Sequence, residues 1–311
     1  MFRPVETLRV HLSANAPAEL REGTRLWTFQ QLSDSVVQSL EIVAAGKSFA
    51  TLPSQKFQEF LLKERLIFKV QDFKEDSHHR TLHWLSYQTQ NAEEVFAKMQ
   101  SKPVGIIGCG GTGGLIAEHL VRAGIRSLVL VDGGLVDEPD LNRQLHFTKK
   151  DLGKPKVQAL KERLLEIQPD LELHTRHELL SSTDQLTGML KGFSLQLIVC
   201  AVDQPMYTIQ AIVGETALQL ETAVLFGAVG ISDAVIGPLF TDPVELQKQN
   251  ANFRNLAKDA AHFQQQIVRG SLCFTNTLAA AQMGLEAFKF LSGYGGELTI
   301  KNKALIVPYS I

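Results

Sequence analysis

The pattern of apolar and polar positions over residues 1–70 predicts a small module of short strands and two helices. Residues 7–12 alternate as a half-buried strand does, and residues 19–29 have the pattern of a hairpin. Apolar residues then recur at helical spacing over residues 31–45, and Ser54 stands as a cap before a second helical stretch. A short apolar run completes the segment. These elements predict a winged-helix-like α+β module.

Beyond a polar, linker-like stretch at residues 71–80, short apolar runs alternate with helical stretches. The runs that predict buried strands are residues 104–107, 125–132, 171–175, 195–200 and 223–227. Strands that alternate with helices in this way are typical of a parallel sheet. The sequence therefore predicts an α/β fold, with a doubly wound, mostly parallel Rossmann-like sheet after the small α+β module. Residues 233–240 are predicted to extend that sheet as an antiparallel strand.

A cluster of glycines follows the first of these buried strands and precedes a helical pattern that begins near Leu115. Its members are Gly108, Gly110, Gly111 and Gly113. In a strand–turn–helix of this kind, glycines let the backbone approach a ligand, and the free amides and dipole of the helix favour an anion. We therefore expect a phosphate site here. The pattern fits a dinucleotide as readily as a mononucleotide.

Charged residues after the predicted strands narrow the chemistry of that phosphate site. Asp132 ends a strand about 20 residues beyond the glycines, the separation at which an acid reaches a ribose hydroxyl. Arg143 and Lys156 supply fixed positive charge, and Asp203 places an anion at the carboxyl edge of the sheet. Cations for a triphosphate and a carboxylate for magnesium suit adenylation, whereas hydride transfer needs neither.

Each of these residues also has a purely structural interpretation. Both acids would serve as helix caps, or Asp132 as a turn former. Arg143 would be a surface salt-bridge partner and Lys156 a solvated helix residue. The functional interpretation rests on their joint occurrence.

Composition and charge exclude several other classes of function. The chain has 311 residues and a formal net charge of -2, which gives no reason to expect a nucleic-acid or membrane partner. Acids are interspersed with the basic residues of the N-terminal module, which argues against DNA binding there. No apolar run approaches the roughly 20 residues of a membrane span, and the N-terminus lacks the apolar core of a secretory signal. We therefore expect a cytoplasmic protein.

The three cysteines, Cys109, Cys200 and Cys273, stand far apart in the sequence. They form no C-x-x-C pair, so neither a disulfide framework nor a zinc site is expected. Cys273 opens a predicted helix, where a thiol either has a lowered pKa or is buried and purely structural.

The glycine cluster is the first of five motifs that occur in order along the chain. The others are Asp132, Leu141-Asn142-Arg143-Gln144, Gly153-Lys154-Pro155-Lys156 and Asp203. Together they resemble the ubiquitin-activating-enzyme superfamily over roughly residues 80–295. The members closest in size are bacterial adenylyltransferases of thiamine and molybdopterin biosynthesis and of microcin C maturation. The stretch that begins at Cys273 is similar to the late helix beside the family's active site.

The resemblance implies a role for each motif residue, with ATP and Mg²⁺ as cofactors. The residues that would bind ATP are Gly108, Gly110, Gly111, Gly113, Asp132, Asn142, Arg143 and Lys156. Arg143 and Lys156 would also stabilise charge as pyrophosphate leaves. Asp132 would hold the ribose, and Asp203 would coordinate magnesium. The family's homodimers insert an arginine from the partner subunit into the active site, and Arg80 is the candidate here.

Three departures from the family pattern affect these assignments. Asp140 stands where the family commonly has asparagine, and an acid there would repel phosphates unless it bound magnesium. The chain has no paired cysteines for the zinc knot of many relatives. It also has no clear counterpart of the cysteine that forms a thioester with ubiquitin-like proteins.

The N-terminal module indicates the class of substrate. Residues 1–78 are similar in size and element order to the clamp with which some relatives bind a precursor peptide as an added strand. Residues 79–311 would then form the adenylation domain. Within it, residues 241–270 are predicted to form a crossover that covers the site or grips the peptide, or else an ordinary surface helix. We therefore predict ATP- and magnesium-dependent adenylation of a carboxylate on a ribosomally made precursor peptide, as in peptide antibiotic maturation.

Three other functions stay open. One is adenylation of the C-terminus of a small sulfur-carrier protein, against which the missing zinc cysteines and the extra module weigh. Another is a non-catalytic peptide-binding subunit, against which the presence of Arg143, Lys156 and Asp203 weighs. An NAD-dependent oxidoreductase ranks last, because the two cations would have no use there.

Overall fold

The structure is a computed structural model that describes residues 1–13, 16–260 and 270–309. The chain divides into two compact units, Met1–Val95 and Phe96–Ile311. The predicted clamp, residues 1–78, lies within the first unit. That unit also includes residues 79–95, which the sequence prediction assigned to the second domain.

The first unit combines short strands with helices, as the sequence predicts. Its elements are β1 (Phe2–Pro4), β2 (Arg9–Ser13), β3 (Ala16–Glu22), β4 (Arg25–Phe29), α1 (Asp34–Ala44), α2 (Gln55–Lys63), β5 (Ile67–Lys69) and α3 (His79–Ser86). Strands β2, β3 and β4 form an antiparallel sheet, and β1 pairs with β5. The predicted hairpin and both predicted helices are confirmed. The Ser54 hydroxyl caps α2 by accepting a hydrogen bond from the Phe57 N–H at 3.3 Å.

Helix α4 (Ala92–Gln100) leads into a large α/β unit. The strands of this unit are β6 (Val104–Ile107), β7 (Ser127–Val131), β8 (Glu172–Arg176), β9 (Leu197–Cys200), β10 (Ala223–Val229), β11 (Asp233–Phe240) and β12 (Leu305–Pro308). The helices that follow α4 are α5 (Gly111–Ala123), α6 (Lys156–Ile167), α7 (Thr183–Leu190), α8 (Thr208–Gln219), α9 (Pro243–Ala260) and α10 (Cys273–Ser292). Two short 3₁₀ helices, Glu138–Asn142 and Lys149–Asp151, lie between β7 and α6.

The seven strands form one sheet in the order β12-β11-β10-β9-β6-β7-β8. Strands β8, β7, β6, β9 and β10 run parallel, and β11 and β12 add an antiparallel edge. Every residue of β6, β7 and β9 is buried, so both faces of the central strands are covered. The structure confirms the doubly wound, mostly parallel fold and the antiparallel strand at residues 233–240. Strand β12 was not predicted.

The order of the strands determines where a ligand can bind. The chain runs outward from β6 through β7 to β8, and then returns to place β9 on the other side of β6. This reversal leaves a crevice at the carboxyl ends of β6 and β9, where ligands of open α/β sheets bind. The glycine cluster follows β6, and residues 201–203 follow β9. Both segments therefore meet at the crevice.

Helix α9 occupies most of the predicted crossover at residues 241–270, of which residues 261–269 lie outside the described residues. Its apolar side chains Leu246 and Phe253 join the core that α8 and the sheet share. The Asn250 amide donates a hydrogen bond to the Glu215 carboxylate of α8 at 3.0 Å. The helix is therefore anchored on α8, and a role in covering the site stays a prediction. In the described part of the chain, no helix is both long and apolar enough to cross a membrane.

Candidate active site

The glycine loop after β6 is packed so closely that side chains cannot fit at two of its positions. Gly108 has a φ of +92°, and a Cβ there would lie 2.6 Å from the Ala201 carbonyl oxygen. A Cβ on Gly113 would lie 1.8 Å from the Gly108 carbonyl oxygen. The Gly108 N–H donates to the Val131 carbonyl oxygen at 2.8 Å. These contacts hold the loop against both neighbouring strands, and α5 can begin at once.

The amino end of α5 lies at the crevice. Gly110 is its N-cap, and the first N–H groups of a helix have no intrahelical acceptor, so they can bind an anion. The Thr112 hydroxyl donates to Asn276 Oδ1 of α10 at 3.2 Å, and the Asn276 amide donates to the Ser271 hydroxyl at 2.9 Å. Gly111 lies so close to Asn276 that a Cβ would be 2.5 Å from its oxygen. Helix α10 therefore forms a second wall beside the loop.

The Asp132 carboxylate joins the ends of β6 and β7. Its Oδ2 accepts a hydrogen bond from the Cys109 N–H at 2.7 Å, and its Oδ1 accepts one from the Gly134 N–H at 2.7 Å. The turn-forming role considered for Asp132 is therefore present in the structure. Each carboxylate oxygen can accept a further hydrogen bond. Those positions are available to a hydroxyl in the crevice.

Arg143 and Lys156 meet at one buried acid, Asp140. The Arg143 guanidinium and the Lys156 ammonium each lie 3.0 Å from a different oxygen of Asp140. Lys156 is the first residue of α6, where the helix dipole opposes a cation, and only 16% of its side chain is exposed. Lys156 is therefore not a solvated helix residue. Its position is explained by Asp140 and the crevice instead.

Asp203 lies in the segment after β9 and is exposed. Helix α8 begins at Thr208 with Tyr207 as its N-cap, so Asp203 does not cap this helix. Within the described residues, the Asp203 carboxylate takes part in no hydrogen bond or salt bridge. Its charge is therefore available to a ligand.

One cavity of about 270 Å³ collects most of the predicted site residues. Those that line it are Gly108, Gly110, Gly111, Asp132, Arg143, Lys156 and Asp203. Gly113 packs under the loop instead. Asn142 is exposed, and its amide donates to the Ser271 carbonyl oxygen at 3.0 Å while its oxygen accepts from Arg143. Arg80 lies on α3 in the first unit and is exposed, and its insertion into a partner subunit stays a prediction.

A buried histidine, His146, packs against the glycine loop and the first turn of α5. The His146 Nε2 lies 3.3 Å from the Cys109 carbonyl oxygen, and a Cβ on Gly114 would lie 2.2 Å from the ring. Burial lowers the pKa of His146 to about 4, so the ring is neutral at physiological pH. A neutral ring that contacts a carbonyl oxygen through Nε2 donates its proton there. His146 therefore braces the loop without adding charge.

The cysteines near the cavity are poor nucleophiles. Burial raises the pKa of the Cys109 thiol well above its ordinary value, and it raises the pKa of Cys200 to about 12. A thiolate at either position is therefore scarce. Cys273 opens α10, as predicted, but it is partly exposed rather than buried.

Four further polar residues among those described line the cavity without having been assigned a role from the sequence. They are Thr112, Gln144, Ser271 and Asn276. Gln144 is buried, and its Oε1 has no hydrogen-bond partner among the described residues. Asn276 is the fourth residue of α10 and is buried, and its neighbours Thr275 and Thr277 are also polar. The sequence around Asn276 therefore carries no signal that sets it apart, and its role follows from the hydrogen bonds that it makes in the fold.

Comparison with proteins of known sequence finds several relatives of this chain. Protein HesA (heterocyst) of Trichormus variabilis is 36% identical over 105 residues, which cover 34% of this chain and 39% of that protein. Ubiquitin-like modifier-activating enzyme 5 of Drosophila virilis is 27% identical over 228 residues, 68% of this chain and 55% of that enzyme. The tRNA threonylcarbamoyladenosine dehydratase of Bacillus subtilis is 37% identical over 81 residues, 26% of this chain and 32% of that protein. The chain thus spans about a third to a half of the length of these relatives.

The fold is shared with proteins of known structure. The microcin C7 biosynthetic enzyme MccB, solved with N-formylated MccA, superposes with a TM-score of 0.77 at 19% identity, covering 100% of this chain and 94% of that one. E. coli MccB solved with ATP gives a TM-score of 0.76 at 19% identity, with the same coverage. PaaA gives 0.66 at 20% identity, covering 82% of this chain and 88% of PaaA. At this level of identity, the likeness concerns the fold alone.

The sequence model of one family covers most of this chain. It matches residues 86–308. This range contains the glycine loop, Arg143, Lys156, Asp203 and α10. The match agrees with the resemblance that the five motifs indicate. The chain belongs to the ThiF family.

Proposed function

We propose that this protein is an ATP- and magnesium-dependent adenylyltransferase that activates a carboxylate on a ribosomally made precursor peptide. The observation that carries the proposal is the cavity at the carboxyl ends of β6 and β9. There the amino end of α5, the cations Arg143 and Lys156 and the free carboxylate of Asp203 line one space. An anion-binding helix end, two cations and one unpaired acid are the parts that a magnesium triphosphate requires.

The residues around the cavity fit ATP. The glycines at 108, 110 and 111 leave room for phosphates close to the backbone, and Asp132 retains lone pairs for a ribose hydroxyl. Asp203 would hold magnesium, whose other ligands would come from phosphate oxygens and water. Among the described residues, no three His, Cys, Asp or Glu side chains gather into a metal site. Bound magnesium would neutralise phosphate charge.

The chemistry needs positioning more than a protein nucleophile. A carboxylate oxygen of the peptide attacks the α-phosphorus, and the bond to the bridging oxygen of pyrophosphate breaks. The peptide then carries AMP as an acyl adenylate, and pyrophosphate leaves with the electron pair. Arg143 and Lys156 stabilise the charge that develops on the leaving group. The high thiol pKa of Cys109 and Cys200 is consistent with direct attack by the substrate.

The choice of a peptide substrate rests on the first unit. The MccB structures solved with MccA cover essentially the whole of this chain, including residues 1–95. In the first unit, β2 and β4 are the edges of a three-stranded antiparallel sheet. An extended peptide can add to such an edge through its main-chain hydrogen bonds. We therefore assign residues 1–78 the role of a clamp, and we assign the active enzyme to a homodimer in which Arg80 acts in trans.

A second candidate function is adenylation of the C-terminus of a small carrier protein. The specific observation in its favour is the 27% identity to an enzyme named for activating a ubiquitin-like modifier, over 68% of this chain. The two candidates share the ATP site and differ in the acceptor. A non-catalytic peptide-binding subunit is disfavoured, because Arg143, Lys156 and Asp203 line one cavity.

Exchange of labelled pyrophosphate into ATP separates these functions. We expect exchange with magnesium and a short precursor peptide encoded beside this chain. Exchange should fall at least ~100-fold in Asp203→Asn and in Arg143→Ala, the usual effect of removing one charge-stabilising group. Asp184→Asn, an exposed acid on α7, is the matched control and should retain full exchange.

The choice of acceptor decides between the candidates. Exchange that appears only with a carrier protein ending in Gly-Gly would support the second function instead. Exchange that is unchanged in both site variants would refute the catalytic assignment.

A further inference from the structure

Asp140 is the centre of a buried charge network beneath the cavity. The residue is 6% exposed. Its Oδ1 accepts hydrogen bonds from Arg143 Nη2 at 3.0 Å and from Gln144 Nε2 at 2.5 Å. Its Oδ2 lies 3.0 Å from Lys156 Nζ and accepts a bond from the Asp137 N–H at 3.2 Å. All four of the usual acceptor positions of a carboxylate are therefore occupied.

This network limits the positive charge that the cavity offers to a ligand. Arg143 and Lys156 are the cations that line the cavity in the described part of the chain, and both are paired with Asp140. Two further carboxylates, Asp132 and Asp203, face the same space. Among the described residues at the cavity, these three acids and two bases leave one net negative charge. For a bare triphosphate, these carboxylates would therefore offset the attraction of the α5 amino end.

We propose that Asp140 makes nucleotide binding at this site conditional on a divalent cation. The inference rests on the proposed function in taking ATP as the ligand. A magnesium-bound triphosphate carries two fewer negative charges than the bare one, so the net negative site accepts it more readily. Asp140 fixes Arg143 and Lys156 in position, but without magnesium these two cations do not suffice to bind the phosphates. Asp140 is thus a positioning and selectivity residue.

Replacing the acid with its amide removes this selectivity for a definite reason. An asparagine side chain has one acceptor oxygen, and its other end donates. In Asp140→Asn the amide oxygen can still accept a hydrogen bond from one cation. The amide NH₂ faces the other cation, and because both groups are donors they cannot form a hydrogen bond. Arg143 is also held by the Pro139 carbonyl oxygen and by Asn142 Oδ1, so Lys156 is the cation that would be released toward the cavity. The site also loses one negative charge.

Calorimetric titration of the full-length protein with ATP tests the proposal. Each variant is titrated once with EDTA and once with excess MgCl₂. The readout is a ratio, the dissociation constant in EDTA divided by the dissociation constant with magnesium. We expect Asp140→Asn to bind ATP in EDTA at least ~10-fold more tightly than the unsubstituted protein, which is about 1.4 kcal/mol. Its affinity with magnesium should change less than about threefold. The ratio therefore falls.

Two variants separate charge from other effects. Glu138→Gln removes the same charge from the same 3₁₀ helix, at an exposed position with no contact to either cation, and should leave the ratio unchanged. Asp140→Glu keeps the charge and should keep the magnesium requirement. Thermal unfolding shows whether each variant is folded. Asp140→Ser, which also removes the charge, replaces Asp140→Asn if the latter does not fold.

The outcomes distinguish this inference from the proposed function. An unchanged ratio in Asp140→Asn overturns the inference while leaving the ATP site intact. A ratio that falls because magnesium-bound ATP binds more weakly also overturns it, since Asp140 would then be a metal ligand. A loss of the magnesium requirement in Asp140→Glu would also overturn the inference. If the unsubstituted protein binds ATP under neither condition, the proposed function itself fails.

Discussion

The buried His146 ring makes the stability of the second unit depend on pH. Burial is the main cause that lowers its pKa from 6.5 to about 4, and the contact with the Cys109 carbonyl oxygen opposes that shift only in part. In the unfolded chain the ring is in water, and its pKa returns to about 6.5. Between these two values the unfolded state binds more protons than the folded state. Stability therefore falls as the pH drops through this window.

The size of the effect follows from the shift in pKa. A difference of about 2.5 units is worth roughly 3 kcal/mol, because each unit corresponds to about 1.4 kcal/mol. At pH 5 the unfolded ring is almost fully protonated and the folded ring is not, so about 2 kcal/mol has been lost. Above pH 7 both states are neutral and His146 contributes no pH dependence. The loss is complete below about pH 4.

Urea unfolding at pH 7.5 and pH 5.0 measures this loss. Both tryptophans, Trp27 and Trp84, lie in the first unit, so far-ultraviolet circular dichroism rather than tryptophan fluorescence follows the second unit. Between the two pH values, the unsubstituted protein should lose about 2 kcal/mol more than His146→Gln. His177→Gln, at an exposed position, is the control and should behave like the unsubstituted protein. An equal pH dependence in the unsubstituted protein and His146→Gln would refute the reasoning.

Three further predictions concern the same site. Gly113→Ala should abolish ATP binding in calorimetry, because its Cβ would lie 1.8 Å from a backbone carbonyl oxygen, whereas Gly188→Ala, with nothing within 4 Å, should not. Iodoacetamide should alkylate the partly exposed Cys273 before the buried Cys109, whose thiol pKa is raised. Mass spectrometry of protein labelled in its folded state measures the order, and faster labelling of Cys109 would contradict the prediction. Asp132→Ala should lower the free energy of unfolding by at least ~2 kcal/mol in denaturant titration, because two backbone N–H groups lose their acceptor. Unchanged stability would contradict that role.

Local signals were sufficient for the elements whose residues are close in sequence. Serine is common at helix N-caps, and Ser54 caps α2. The alternating pattern at residues 19–29 corresponds to the observed hairpin of β3 and β4. The strand at residues 233–240 was also predicted with its antiparallel direction. By contrast, β1 and β12 have three and four residues, and each is a strand only because a distant segment pairs with it. Such short segments carry little periodicity of their own.

The same distinction applies to the site. Asp132 and Asp203 follow strands, and Lys156 begins a helix. Arg143 lies in the Leu141-Asn142-Arg143-Gln144 motif. These four residues could therefore be chosen from the sequence. Asp140 was noticed only as a departure from the family pattern. Its pairing with Lys156 depends on the fold, because the two residues belong to different elements and their contact is tertiary. The motif therefore predicts which charges are present but not how they are paired.

The central claim is that the α-phosphorus of ATP is attacked, and the fate of two labels tests it most directly. ATP labelled at the α-phosphate and ATP labelled at the γ-phosphate are each incubated with the full-length protein, magnesium and the acceptor peptide. We expect the α-label to appear in AMP or on the peptide, and the γ-label to appear in pyrophosphate. Release of the γ-label as inorganic phosphate, with the α-label retained in ADP, would contradict it.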